Sequence, residues 1–222
     1  MNKKVKFSGL WTAILSVVSV AYIFPILLVV INSFKKKAYI SRYPFAIPTD
    51  KMFVGLENYV NGLEKICGEL GRLYEAAGIR VNRCKAQPEA AEFEYLTGMT
   101  LEEKLDTLLE EGKNDQAKEL LFSYINKVKQ IHEKEDFRKT EEFVKVFGDA
   151  ELPENLKAAP FSNIDFVPAN IILSENKVSV IDYEWTFAFP VPSQFLVYRM
   201  IFYYLELNDK RGILKERDFY EN

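Results

Sequence analysis

The stretch Asn163-Ile164-Asp165-Phe166-Val167-Pro168-Ala169-Asn170-Ile171-Ile172-Leu173, continued through Ser174-Glu175-Asn176-Lys177 into Val178-Ser179-Val180-Ile181-Asp182-Tyr183-Glu184-Trp185, decides how this chain is read. Two β-rich runs flank Ser174 to Lys177, whose composition suits a turn, so the runs should pair as a hairpin. That pairing brings Asn170 and Asp182 together at the open end of the hairpin. An amide oxygen beside a carboxylate suits Mg²⁺, a hard cation that takes oxygen ligands and leaves room for phosphate oxygens. Asp165, five residues before Asn170, would then stand beside the metal, where a carboxylate can take the proton of an attacking hydroxyl. Taken singly, each residue also has a plain structural use, as a loop carboxylate, a strand-end carboxylate or a turn cap. Their spacing together is what argues for a site.

Working outward, the chain alternates helical and extended patterns. From Glu64 to Ala77 the apolar positions Ile66, Leu70, Leu73, Tyr74 and Ala77 recur at three and four residues, which predicts an amphipathic helix ended by Gly78. Ile79 to Cys84 and Ala90 to Leu96 fit short strands, turned by Gln87-Pro88-Glu89. Thr100-Leu101-Glu102-Glu103 has the form of a capping box and starts a helix. A longer helix follows in the run Gln116 to Phe137, with Ala117, Leu120, Leu121, Tyr124, Val128 and Ile131 on one face. His132, the single histidine, is expected at the surface or partly packed. The aromatic run Trp185 to Tyr204 reads as core, its helix starting near Pro192 or Ser193. Residues Asn208 to Asn222 read as a solvated helix end.

The Asp165, Asn170 and Asp182 pattern resembles the catalytic core of the aminoglycoside phosphotransferase and choline kinase group, within the protein-kinase-like fold. The Asp-Tyr-Glu-Trp segment is also similar to kinase-like domains attached to bacterial surface-polysaccharide enzymes. The resemblance covers about residues 63 to 222. It implies Asp165 as catalytic base, Asn170 and Asp182 as metal ligands, and Mg²⁺ and ATP as cofactors. It also implies that Phe93-Glu94-Tyr95-Leu96 is the interlobe hinge, with Glu94, Tyr95 and Leu96 binding the nucleotide through backbone. The family's usual histidine is Asn163 here, and no glycine-rich loop precedes a strand carrying a lysine. Helix Glu64 to Ala77 takes the place of the regulatory helix, with Glu69 or Glu75 standing for its glutamate and no lysine to pair with it. Catalysis of this kind is mostly positioning and charge stabilisation, so little or no turnover is expected.

Toward the N-terminus the chain changes character. No charged residue lies between Lys6 and Lys35, and Leu10 to Ile31 meets the roughly 20 residues needed to cross about 30 Å of hydrocarbon. The apolar run exceeds a signal-peptide core and lacks a small-x-small cleavage site before Lys35-Lys36-Lys37, so a retained transmembrane helix is expected, kinked at Pro25. Trp11, Phe34 and Tyr39 fall where aromatic residues favour the interface. Tyr22-Ile23-Phe24-Pro25-Ile26, Asn32-Ser33-Phe34-Lys35, Pro44-Phe45-Ala46-Ile47-Pro48 and Leu56-Glu57-Asn58-Tyr59 resemble the first transmembrane helix and loop of the permease subunit of bacterial sugar-importing ABC transporters. That resemblance covers residues 1 to about 62. It places the N-terminus in the cytoplasm, whereas Lys35, Lys36, Lys37 and Arg42 outnumber Lys3, Lys4 and Lys6 and favour a cytoplasmic C-terminus.

Charge follows the same division. Residues 1 to 60 hold eight Lys or Arg against two Asp or Glu, so with a total of −3 the remainder carries −9. An acidic body opposes phosphate-backbone binding, and no nucleic acid partner is expected. Cys67 and Cys84 lack the number and spacing for a disulfide framework or a zinc site. The expected fold is α+β, a partial protein-kinase-like fold with a mostly helical C-lobe and remnant N-lobe strands, preceded by one transmembrane helix. Residues 1–62 form the permease-like helix and loop, and 63–222 the phosphotransferase fragment. The expected partners are the membrane and a sugar or small-alcohol acceptor. The alternatives are a truncated permease subunit with ABC transporter partners, or a join of two unrelated gene fragments near residue 62.

Overall fold

The computed structural model of the chain describes residues 5–87, 90–175 and 177–214. Helix α1 (Val5–Ser33) is followed by α2 (Lys37–Ile40) and α3 (Glu57–Glu75). Four short strands come next: β1 (Ile79–Val81), β2 (Cys84–Gln87), β3 (Ala90–Phe93) and β4 (Met99–Thr100). Then follow α4 (Leu101–Glu110), α5 (Asn114–His132), β5 (Glu135–Asp136), α6 (Glu141–Phe147), β6 (Lys157–Ala158) and β7 (Ser162–Asn163). A 3-10 turn, Pro168–Asn170, leads into β8 (Ile171–Ser174), β9 (Lys177–Val180), β10 (Thr186–Phe187), α7 (Ser193–Leu205) and a closing 3-10 turn, Asp209–Leu214. Backbone contacts divide the chain into two units, Met1–Gly62 with Lys85–Glu92, and Leu63–Cys84 with Phe93–Asn222.

In the first unit α1 is long and apolar enough to span a membrane. Every side chain from Trp11 to Leu27 is exposed, and Pro25 lies within the helix. The chain then folds back on the end of α1. Lys36 N–H donates to Met52 O (2.8 Å) and Val54 N–H to Phe34 O (2.9 Å), while Asn58 Nδ2 donates to Ser33 O (2.7 Å) and Lys35 O (2.8 Å). The bond to Ser33 O takes up one of the carbonyls that the C-terminus of α1 leaves without a helical partner.

The second unit is built around the expected hairpin. β8 pairs antiparallel with β9 in a register that sets Ile171 opposite Val180, both fully buried. The sheet order is β1-β9-β8-β4, with β1 parallel to β9. That parallel pairing was not read from the sequence, and it cuts the expected strand Ile79 to Cys84 into β1 and the start of the β2–β3 ribbon. Parts of both proposed turns, Pro88-Glu89 and Asn176, lie outside the described residues. Helices α3, α4, α5 and α7 supply the rest of the core through Leu70, Tyr74, Leu101, Leu105, Leu121, Val128, Met200 and Ile201.

The capping box is present: Thr100 Oγ1 accepts from Glu103 N–H (3.0 Å), and Glu103 Oε2 accepts from Thr100 N–H (2.7 Å). Helix α7 starts at Ser193, as Pro192 suggested. Two expectations are corrected. His132 is fully buried on α5, which ends five residues before Phe137. The segment expected to be a solvated end instead closes on the core as far as it is described, with Arg211 and Leu214 buried; residues 215–222 lie outside the described ones. Helix α6 was not read, although Thr140 caps it by accepting from Phe143 N–H (3.2 Å).

Candidate functional site

The loop between β7 and β8 is organised by its own side chains. Asn163, fully buried, accepts from Asp165 N–H through Oδ1 (2.9 Å), the local bond that lets an asparagine fix a turn two residues on. Asp165 O then accepts from Val167 N–H (2.8 Å) and from Asn170 Nδ2 (3.1 Å). Asn163 thus braces the loop from within the core. Because Asn170 donates through its amide nitrogen, its Oδ1 is the atom left for another partner.

Asn170 O accepts from Ile181 N–H (3.0 Å), which ties the loop to the residue before Asp182. Asp182 is exposed and sits at φ +51°, a left-handed conformation that costs a non-glycine residue free energy. Asp165 and Asn170 are half-buried. Asp165, Asn170 and Asp182 are therefore linked through two hydrogen bonds and one chain step. The donor set is two carboxylates and one amide oxygen, all hard, and Mg²⁺ usually takes one or two carboxylates and completes its shell with water and phosphate. That chemistry fits the residues present. Among the described residues, no group of three or more His, Cys, Asp or Glu is placed to hold a metal by itself.

One side chain that holds this loop escaped the sequence reading. Arg199 Nη2 donates to Asp165 Oδ1 (2.7 Å) and its Nε to Ile164 O (2.6 Å), while its guanidinium stacks over Tyr203 at 4.6 Å. The pair is mostly buried and fixes Asp165 in one orientation, with Oδ1 taken up by the guanidinium. A signal was there to be read, since Arg199 is the one charged residue in the apolar helix α7.

Residues 93–96, expected to be a nucleotide-binding hinge, run from the end of β3. Phe93 packs against Tyr183, the residue after Asp182, with ring centroids 6.5 Å apart. Tyr183 is itself buried and donates from its hydroxyl to Asn82 O (2.9 Å). Glu94 is engaged on both sides, its N–H to Arg83 O (3.1 Å) and its carboxylate to Arg80 (3.2 Å). Tyr95 is 90% exposed and Leu96 half-buried. Beyond them Gly98, at φ +146°, passes so close to Leu173 O that a Cβ would collide with it.

An open cleft of about 840 Å³ lies there, lined by Thr97, Gly98, Lys104, Ser174 and Lys177 among others, at the turn end of the hairpin. None of the six sequence-predicted site residues lines it. In α3, Glu69 pairs with Arg72 of its own helix (2.5 Å), and Glu75 borders a second cleft of about 440 Å³ beside β1. Both cysteines are free, and burial pushes the Cys84 thiol up. No family model, curated protein or solved structure matches this chain.

Proposed function

We propose that residues 63–222 form a kinase-like phosphotransferase fragment, tethered to a cell membrane by α1, that binds Mg²⁺·ATP and transfers phosphate to a sugar or small-alcohol hydroxyl slowly or not at all. The observation that carries the reading is the loop from Asn163 to Asn170, tied through Ile181 to an Asp182 held in a strained backbone conformation. Strain of that kind is retained where function needs a carboxylate in one place.

In this reading Asn170 Oδ1 and the Asp182 carboxylate hold the metal. Bound Mg²⁺ would offset charge on the phosphate oxygens. Asp165, steered by Arg199, accepts the proton of the acceptor hydroxyl. The backbone at Tyr95 and Leu96 meets the base of the nucleotide. With no glycine-rich loop and lysine before residue 63, the terminal phosphates lack their positioning groups, so binding should outlast catalysis. Among the described residues α1 is the one helix able to span, and its exposed flank supports a membrane anchor over a core helix. Mg²⁺·ATP chemistry then requires a cytoplasmic body, in line with the basic residues after α1.

The Asp182→Gly variant tests this with its own control. Glycine relieves the positive φ but adds freedom to the unfolded chain, so stability should stay within about 1 kcal/mol of the parent. Mg²⁺·ATP should raise the melting midpoint of the parent chain in detergent and leave that of Asp182→Gly unmoved. An equal upward shift in both would remove Asp182 from the site.

A further inference from the structure

Residues 43–48, Tyr-Pro-Phe-Ala-Ile-Pro, alternate in exposure. Tyr43, Phe45 and Ile47 are 51%, 70% and 77% exposed, while Pro44, Ala46 and Pro48 turn inward. Three large apolar side chains aligned on one face of a loop make a patch of the kind that marks contact with a partner or a membrane. The loop does not project away from α1. Phe45 stacks on Phe24 with centroids 6.5 Å apart and planes 11° from parallel, and Asn32 Nδ2 donates to Pro44 O (2.9 Å). Phe24 lies nine residues before the last residue of α1, about 13 Å along the axis at 1.5 Å per residue. If α1 crosses a hydrocarbon layer about 30 Å thick, the ring of Phe45 lies well inside it.

Irregular backbone at that depth has to satisfy its polar groups within the protein. Here Pro44 and Pro48 have no N–H to satisfy, while the N–H groups of Phe45 and Ile47 find no backbone acceptor among the described residues, which keeps the loop backbone at the hydrated boundary and sends only its side chains inward. Tyr43 N–H donates to Tyr39 O (2.9 Å), and Tyr43 O accepts from Ala46 N–H (3.3 Å). Lys35, fully buried, sends its ammonium to Asn32 Oδ1 (2.8 Å), Tyr43 O (2.7 Å) and Pro44 O (3.4 Å), which occupies its three donors. The cation that closes α1 therefore also holds the loop against the helix. Outside this knot Lys36, Lys37, Arg42 and Lys51 are all exposed, and Asp50 is the one acidic residue between Lys35 and Gly55. Lys36 N–H to Met52 O brings Lys51 level with the end of α1.

We infer that residues 43–48 form an interfacial loop that inserts the side chains of Tyr43, Phe45 and Ile47 among the acyl chains of an anionic lipid bilayer beside α1, with Lys36, Lys37, Arg42 and Lys51 at the headgroups. This rests on reading α1 as membrane-spanning. The basic ring selects an anionic lipid surface as the occupant, and continuity of the apolar face with α1 sets its depth.

The test uses the full chain with Trp11→Phe and Trp185→Phe, reconstituted in phosphatidylcholine vesicles containing phosphatidylglycerol and acyl-brominated lipid. A single tryptophan is placed by Val18→Trp, Phe45→Trp or Ile47→Trp, the last reporting on the loop without touching the Phe24 stack. At all three positions tryptophan should lose most of its emission to the brominated chains and resist aqueous iodide. Leaving out phosphatidylglycerol should weaken the quenching at positions 45 and 47 and spare position 18. Quenching at 18 with iodide access at 45 and 47 overturns the inference and leaves the membrane helix standing. A blue-shifted emission at 45 that neither quencher reaches overturns it in favour of a protein cover, such as a second copy. Indifference to phosphatidylglycerol overturns the anionic selection, and no quenching at 18 removes the membrane reading and the inference together.

Discussion

Arg211→Ala is expected to lower the unfolding free energy of the second unit by about 3 kcal/mol. Arg211 is 4% exposed and grips Asp106 in a two-pronged bond, Nε to Oδ1 (2.8 Å) and Nη2 to Oδ2 (2.7 Å). The same guanidinium reaches Glu102 (3.0 Å), donates to Tyr204 O (2.8 Å) and stacks on the Tyr204 ring at 4.4 Å. One buried cation thus fastens the closing turn to α4 and α7. Its loss leaves two adjacent carboxylates, Glu102 and Asp106, without their counter-charge, and empties the space over Tyr204. Both carboxylates keep roughly a third of their surface in water, which holds the cost below that of a fully buried pair. Arg211→Lys keeps the charge but not the fork, so it should recover part of the loss. Denaturant unfolding of the full chain in detergent checks this as a lower midpoint at unchanged slope. A midpoint equal to that of the parent would mean that the turn is not held as described.

The second large effect depends on pH. His132 is fully buried at the end of α5, edge-on to Tyr74 with ring centroids 6.2 Å apart, and Tyr74 in turn packs against Phe166. Burial lowers its pKa from 6.5 to about 3, and Lys134 adds to the shift. The unfolded chain takes up a proton near pH 6.5, whereas the folded chain refuses it until about pH 3. Across that window the unfolded state binds more protons, so stability falls as the pH falls, by at most about 1.4 kcal/mol per unit. Between pH 6.5 and 5 this amounts to about 1.5 kcal/mol. Carboxyls held low by lysines, such as Asp136 beside Lys157 and Asp149 beside Lys139, lose their contribution only at lower pH. His132→Leu should therefore flatten the stability profile between pH 6.5 and 5 and leave the steeper fall below it. A variant profile as steep as the parent's would remove His132 as its source.

What could be read in the chain was what it writes locally. β-Branched runs either side of Ser174 to Lys177 declared the hairpin, Thr100 and Glu103 declared a helix start, and the proline before Ser193 declared another. The spacing of Asp165, Asn170 and Asp182 nominated a site, and the bonds among Asn163, Asp165 and Asn170 that shape its loop are equally local. The misses were long-range. Arg211 meets Asp106 across 105 residues and Arg199 meets Asp165 across 34, so neither pairing leaves a periodic trace. The parallel match of β1 to β9 joins Ile79 to Val178, a separation that composition does not encode. His132 was placed by its residue type, although it falls four residues after the buried Val128 on the face that carries Leu121 and Tyr124. A polar residue in register with an apolar stripe deserved the reading of the stripe.

The account stands on Asn170 and Asp182 forming a metal–nucleotide site, and the measurement that reaches this most directly is titration calorimetry of the full chain in detergent with ATP, with and without Mg²⁺. The account predicts saturable binding that requires Mg²⁺ and disappears in Asp182→Gly, while the variant stays within about 1 kcal/mol of the parent's stability in the absence of ligand. Binding indifferent to Mg²⁺ or retained in Asp182→Gly, or no binding by the folded parent chain, would contradict it.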